Sequence, residues 1–492
     1  MASQGGFEAL INIESRIYEP PAVLKKDYHA LPDLPTAFEL DELSRASRGN
    51  DGPSLPATPA GTQTPRILNE LEMSRPPSPE YHDAAEVMQT WTNPPINKWR
   101  LLSACLMNFG NGLNDAAPGA LIPYMEKDYK IGYAIVSLIF VTNAVGFIAA
   151  APLSQALQAR LGRAKTLVLA ESVMVAAYIM LVCRPPFPVV VVSFLFLGLG
   201  IATNLAPNNV FAANLSNATT SLGCLHGSYG IGATIGPLMA TALVTHNHPW
   251  STFYFISLSV TLFNLILAFI SFRNYEKDTP SVNLLHPTAS NPNPSSSRSK
   301  LLKTALTNKT TILGALFIFC YQGAEVSISG WVISFLISYR HSSPAHVGYV
   351  TSGFWGGITL GRFLLSHPAN KVGKKRAVFI LILGATCFQL LVWLVPNVVG
   401  DAVAVSIVGL LLGPIYPCAT AVFSNLIPKR LQMSSLAAVS ALGSSGGAVA
   451  PFFTGLLAQQ VGTWVLHPIC IGLFAGMVGC WLGLPRIVKR RE

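Results

Sequence analysis

Two carboxylates stand 210 positions apart in this chain: Asp115 in NFGNGLNDAAPGALIPYM (108–125) and Glu325 in GAEVSISGW (323–331), each inside an otherwise apolar run. An ionised side chain at the centre of a membrane helix costs about 2.5–3.5 kcal/mol on insertion scales, so something must offset it. The chemistry open to a carboxyl in a partly dry place is proton exchange, because its hold on a proton follows its surroundings. Asp115 is read either as a proton-coupling group or as a neutral aspartic acid that packs helices. Glu325 is read either as a second coupling group, a gate, or a hydrogen-bond acceptor for a solute.

Other side chains could contact such a solute. Asn111 and Asn114 lie within a turn of Asp115, and Asn204 and Asn208 flank Pro207 in IATNLAPNNVF. Amides suit a hydroxyl-rich molecule, but also repair backbone freed by a proline. His226 and Tyr229 share a helical face at three-residue spacing, and a histidine there either titrates near neutrality or bonds a neighbouring helix. Tyr321, Gln322, Trp331 and Tyr416 offer apolar faces or single polar groups that suit a sugar ring, and are equally ordinary packing residues. Arg362 ends the ladder Gly353, Gly357, Gly361, a spacing that admits another helix closely. Its guanidinium is either a gate contact or snorkels to the interface, as does the carboxylate of Glu171.

The elements that must position these groups are membrane helices. The chain has 492 residues, 51% hydrophobic and 11% charged, whereas soluble domains carry about 25% charged residues. Residues 1–100 hold 14 acidic and 9 basic residues, and 101–492 hold 9 acidic and 24 basic. The basic residues sit in short clusters between apolar runs, so they set topology and do not form a nucleic-acid-binding face. All eight cysteines fall in or beside apolar runs without a C-x-x-C, so neither a disulfide framework nor a zinc site is expected. No cofactor motif, G-x-S-x-G or Walker loop is present; no metal site and no enzyme activity are expected.

Residues 1–95 are rich in Pro, Ser and acidic side chains and read as a disordered tail, with Thr58, Thr64 and Ser78 before prolines. Twelve apolar runs follow: 98–123, 131–157, 166–184, 188–213, 222–245, 249–272, 310–339, 345–366, 376–395, 399–424, 433–460 and 465–485. Each is near or above the ~20 residues that span a bilayer. The expected organisation is a tail (1–95), a six-helix half (96–272), a polar central loop (273–309), a second six-helix half (310–487) and a short tail (488–492). With both termini cytoplasmic, inner loops hold 19 Lys and Arg and outer loops four (Lys127, Lys130, Arg184, Arg340), as the positive-inside rule requires. Asn214, Asn217 and Asn308 would then face the cytosol unglycosylated.

The halves repeat. Gly132-Tyr133 and Gly348-Tyr349 open the second and eighth runs; RLGRAK (160–165) and KVGKKR (371–376) follow them; GATIGP (232–237) pairs with GGAVAP (446–451), and VFAANL (210–215) with VFSNL (422–426). Two six-helix repeats that bind between them near the midplane are the plan of a secondary transporter. Asp115 lies 15 residues after Arg100 and Glu325 lies 16 after Lys309. At 1.5 Å per residue both carboxylates are about 23 Å from those charges, facing one wet cavity from opposite halves. Gly110, Gly112, Pro118 and Gly119 around Asp115, and Gly323 and Gly330 around Glu325, loosen the backbone there.

Twelve spans, a central loop and the basic LGR and VGKK turns resemble the major facilitator superfamily over nearly all of 98–487. NGLND with its following Pro resembles the fucose-permease branch, and GAEVSISGW, GPIYP (413–417) and GLLA with WVLHP (455–468) resemble its fungal relatives. The resemblance implies a proton-linked transporter, working as a monomer in lipid, of a small polar solute such as a sugar, in the plasma membrane or an internal one. It implies a coupling role for Asp115. The branch's second carboxylate, on the fourth helix, is replaced here by Thr203 and Asn204. The superfamily's loop motif has an acidic residue three before its glycine, where Ala159 and Asn370 stand, which argues against a charge-based latch built there. A proton-antiport exporter, a non-transporting sensor or scaffold, and a passive channel are the rival readings.

Overall fold

The structure is a computed structural model that describes residues 89–278 and 303–485. Most of the expected tail, with Thr58, Thr64 and Ser78, lies outside the described residues, as do 279–302 and 486–492. Among the described residues the fold is helices and their connections. The helices are α1 (Asn97–Ala116), α2 (Pro118–Tyr129), α3 (Leu138–Val182), α4 (Phe187–Ala213), α5 (Ala218–Thr245), α6 (Phe253–Phe272), α7 (Lys309–Ser338), α8 (Val350–Leu364), α9 (Lys374–Leu394), α10 (Val398–Leu412), α11 (Ile415–Leu426), α12 (Lys429–Ser444), α13 (Gly446–Val461) and α14 (Leu466–Leu482). Single turns at Tyr133–Val136 and Pro344–Val347 lead into α3 and α8.

Every expected apolar run falls on helix. Nine helices among the described residues are long and apolar enough to cross a bilayer. The expected runs that miss that standard are the first, fifth and eighth, on α1–α2, α5 and α8. Their polarity and glycine content disqualify them, and those same helices carry Asp115, Tyr229 and Arg362. Side chains such as Phe263, Phe269, Ile380 and Leu394 are more than half exposed on the outer surface, as a lipid-facing belt requires.

Local breaks follow the sequence. Pro118 has no N–H and its ring crowds the carbonyl four residues back, so the first span breaks at Ala117, two residues past Asp115. The tenth span breaks at Gly413-Pro414. Gly162 (φ +78°) and Gly373 (φ +96°) make the two basic turns in a backbone conformation that side chains resist. One expectation fails: α7 runs unbroken through Glu325 despite Gly323 and Gly330. Neither glycine adopts positive φ; they serve close packing instead, Gly323 against Ala450 and Gly330 against Phe140. The central loop also begins as helix, at Tyr275–Asp278.

Glycine contacts show the duplication. A Cβ at Gly232 would land on the Phe109 carbonyl of α1, and one at Gly446 on the Phe319 carbonyl of α7. A Cβ at Gly198 would strike the Asn143 carbonyl, and one at Gly409 the Phe354 carbonyl; Gly146 against Leu195 matches Gly357 against Ser406. These contacts fix the register: α1 to α7 by 210 positions, and α3–α4 to α8–α10 by 211. Gly119 meets the Ser329 carbonyl, its own repeat partner at the same offset of 210, which places the pseudo-two-fold axis between α2 and α7.

The halves close on each other at the end remote from the basic turns. Gly455 sits against Trp331, Ser137 and the Tyr133 carbonyl, and Gly348 against Thr241. Toward the basic end, α5 and α8 stay in contact through Gly230 with Thr359 and Gly227 with Phe363. Each half carries an Arg–Asp clasp at the remote end. Arg184 bonds both oxygens of Asp128 at 2.7 and 2.8 Å, and Trp250 donates to the same carboxylate at 2.8 Å. The Arg184 hydrogen bonds hold Asp128 below the usual carboxylate range. Arg340 pairs with Asp401 at 3.2 Å and donates to the Val392 and Trp393 carbonyls.

Candidate functional site

α1, α5, α7 and α8 bring the chemistry together. The Tyr229 hydroxyl on α5 donates to Asp115 Oδ2 at 2.9 Å, and the Asn114 amide approaches Oδ1 at 3.4 Å. Asn114 in turn accepts from the Tyr178 hydroxyl at 3.1 Å. Asp115 is half-buried. Close packing puts Tyr229 there: Gly112 lets α1 approach until its Cα faces the Tyr229 carbonyl.

In the second half, Glu325 is 3% exposed. The Tyr321 hydroxyl, one turn back, donates to its Oε1 at 3.3 Å, and Arg362 Nη2 lies 3.7 Å from the same oxygen. The glycine ladder of α8 packs on α10: a Cβ at Gly357 or Gly361 would strike the Ser406 or Leu410 carbonyl. That fixes the helix so that Arg362 reaches inward to Glu325. The Arg362 side chain as a whole is 28% exposed, and its head group turns inward to Glu325 instead of snorkelling to the interface. Tyr416 stacks at a tilt on Tyr321, 5.8 Å between centroids.

Tyr229 bonds Asp115 on one side and meets α8, the helix of Arg362, on the other. Trp355 of α8 joins the halves, edge-on to Tyr229 at 6.2 Å. Its indole N–H is buried without a partner, a state that asks for an acceptor. Sequence reasoning missed Trp355 and Tyr178. The signal for Trp355 was present: an aromatic inside the same glycine ladder, seven residues before Arg362.

A second polar cluster lies wholly within the first half. Asn111 donates to Asn204 at 2.9 Å, and Asn204 donates to Glu171 Oε1 at 2.7 Å. All three are at most 1% exposed. Glu171 therefore does not snorkel; it is buried between α1, α3 and α4.

The remaining expected site residues are placed elsewhere. Trp331 is 1% exposed, donates to the Pro451 carbonyl at 2.9 Å and packs on Tyr133 and Phe140, so it fastens the closed end. Asn208 is buried with its amide on Met107 sulfur at 3.2 Å and its oxygen unpartnered. Gln322 is half-buried beside Gly447. His226 is exposed on α5, one turn from Tyr229, within range of the Arg362 charge. Among the described residues no group of three or more His, Cys, Asp or Glu could hold a metal ion.

Twelve apolar runs in two glycine-matched halves, with carboxylates at matching positions on α1 and α7, are one half of the identification. The sequence profile of the Major Facilitator Superfamily matches residues 104–451 and 325–492. The chain belongs to the Major Facilitator Superfamily. It is similar to Bypass of stop codon protein 6 of Saccharomyces cerevisiae, 26% identical over 421 residues, covering 81% of this chain and 84% of that protein. It is also similar to the glucose/galactose transporter of Brucella abortus biovar 1, 21% identical over 417 residues, covering 77% of this chain and 93% of the transporter. The solved structure of the nucleoside transporter NupG shares the fold at a TM-score of 0.63, with 13% identity, 78% of this chain and 99% of that one covered. The chain is thus an integral membrane protein of a transporter superfamily.

Proposed function

We propose that this protein is a proton-coupled secondary transporter of a small, neutral, hydroxyl-rich solute, of hexose size or near it. The observation that carries the reading is Asp115: a carboxyl at mid-membrane depth held by a tyrosine hydroxyl and an amide, with no cation among its partners. Burying an isolated ionised carboxylate is prohibitive, so such a group neutralises. It takes up a proton while solute is bound and gives it up when the surroundings become wetter.

Around it, Arg362 and Glu325 present a balanced pair, Tyr229 and Tyr416 supply ring faces, and the free indole N–H of Trp355 supplies a donor. Neutral solutes bind well to such a set: flat aromatic faces cover sugar carbons, and the polar edges bond hydroxyls. The similarity to a glucose/galactose transporter adds to this reading. The excess of Lys and Arg at the basic turns supports cytoplasmic termini, which puts the closed end on the far side of the membrane. Transport proceeds by rocking one half against the other.

The test is uptake of radiolabelled D-glucose and D-galactose into liposomes that hold the purified protein, under an imposed pH gradient. The reading expects saturable uptake that accelerates with acid outside, and counterflow without a gradient. Saturable uptake indifferent to the gradient, or non-saturating flux without counterflow, would contradict it.

A further inference from the structure

We infer that Glu171 is a second proton-binding group of the transport cycle, so that two protons accompany each solute; this rests on the proton-coupled reading above. Glu171 is 1% exposed, and the ion pairs of the described residues leave it without a cation. Its hydrogen bond comes from a neutral amide, Asn204 Nδ2 at 2.7 Å. A carboxyl so placed keeps its proton, because ionisation there has nothing to offset desolvation. Glu325, by contrast, has a cation beside it, Arg362 at 3.7 Å.

The surrounding packing ties Glu171 to Asp115. A Cβ at Gly200 would lie 3.0 Å from the Ala170 carbonyl, so α4 runs close against α3 and sets Asn204, one turn on, opposite Glu171. Asn204 also pairs with Asn111, one turn before Asp115 on α1. On α3, Tyr178 lies seven residues beyond Glu171 on the same face and donates to Asn114, whose amide approaches Asp115. Behind it, Tyr254 of α6 stacks on Tyr178 at 6.1 Å. The titratable groups linked to Glu171 through this packing are Tyr178 on α3, Asp115 on α1 by way of Asn114, and Tyr254 on α6 behind Tyr178, none of them cationic, and α4 presents the neutral Asn204.

Two hydrogen-bonded links, Asn111 to Asn204 and Tyr178 to Asn114, thus join the helices around Glu171 to the stretch of α1 that carries Asp115. In each cycle one O–H bond forms at the Glu171 carboxylate and breaks on release, with the proton taken from and returned to water and no change of oxidation state. Asn204 positions the carboxyl; Glu171 holds the proton.

The experiment measures the proton-to-solute ratio from the reversal potential of hexose-driven current, with whichever of D-glucose or D-galactose the protein transports. Wild type is expected at two protons per hexose and Glu171→Gln, which keeps the acceptor for Asn204, at one. A wild-type ratio of one, or an unchanged ratio in Glu171→Gln, overturns the inference and leaves single-proton coupling standing. Hexose transport that moves no protons in wild type overturns the underlying reading as well. If the glutamine variant does not fold, Glu171→Asp serves: a ratio of two with a displaced pH profile supports proton binding at this position, and an undisplaced profile overturns it.

Discussion

Asp115 and Glu325 occupy matching positions on matching helices, yet their surroundings differ in kind. Asp115 is held by Tyr229 and Asn114, both neutral; Glu325 is held by Tyr321 and the guanidinium of Arg362. The position that corresponds to Arg362 in the first half is Ala151. The position that corresponds to Tyr229, on α12, is Gly443. Duplication has kept the backbone contacts, where glycines leave no room for change, and has let the side chains that line the cavity diverge. One half thereby holds a carboxyl with only neutral partners, and the other a carboxyl beside a guanidinium.

The largest expected effect breaks that pair. Arg362→Leu leaves Glu325 buried and uncompensated, which costs about 3 kcal/mol, the low end for a buried pair because the Arg362 side chain is partly exposed. A thermal melt in detergent should fall by many degrees, and the double variant Arg362→Leu with Glu325→Gln should recover most of the loss. Asp115→Asn, which has no cation to strand, should melt near wild type. Equal losses in Arg362→Leu and Asp115→Asn would erase the distinction between the halves.

Next come the glycines that hold the repeat together. Gly357→Ala and its partner in the first half, Gly146→Ala, each push a methyl into a backbone carbonyl and should cost about 1–3 kcal/mol each. Gly223→Ala and Gly472→Ala, with nothing within 4 Å of the new methyl, should be neutral or slightly stabilising in the same melt. A smaller effect belongs to Tyr229→Phe, which removes one hydrogen bond worth about 1 kcal/mol. It should move the pH midpoint of transport by under about one unit, while Tyr321→Phe, whose carboxylate keeps Arg362, should move it less.

The smallest effect is at the remote clasp. Arg184 holds Asp128 below its ordinary value, so the pair stabilises the fold fully above about pH 4 and loses that contribution as pH falls through the depressed value. Both side chains are well exposed, so Asp128→Asn should cost well under about 1 kcal/mol and change no transport parameter. The melting temperature of Asp128→Asn should therefore converge on that of wild type in acid.

Much of this was legible in the residues. Apolar run length located the helices, nine of which among the described residues are long and apolar enough to span a bilayer, and GATIGP and GGAVAP, legible as a repeat, contain the glycines that pack on α1 and α7. Asp115 and Glu325 were visible because charge is rare in such runs. What escaped was direction. Trp331 reads like a cavity aromatic, but it lies one and a half turns beyond Glu325, at the depth where the halves close, and packs there. Glu171 reads like an interfacial charge because it stands near basic residues; only the close approach of α4 at Gly200 places an amide against it. Helix periodicity gives a residue's face relative to its own helix, and the identity of the neighbour on that face comes from long-range packing.

The central claim is that Asp115 carries a proton with the solute, and proton uptake tests it most directly. Purified wild type in liposomes, given D-galactose or D-glucose in a weakly buffered medium with a pH dye, should show hexose-dependent alkalinisation outside. Asp115→Asn should lose that component of proton uptake while exchanging labelled hexose in counterflow at a comparable rate. An Asp115→Asn protein that alkalinises the medium as wild type does would contradict the account.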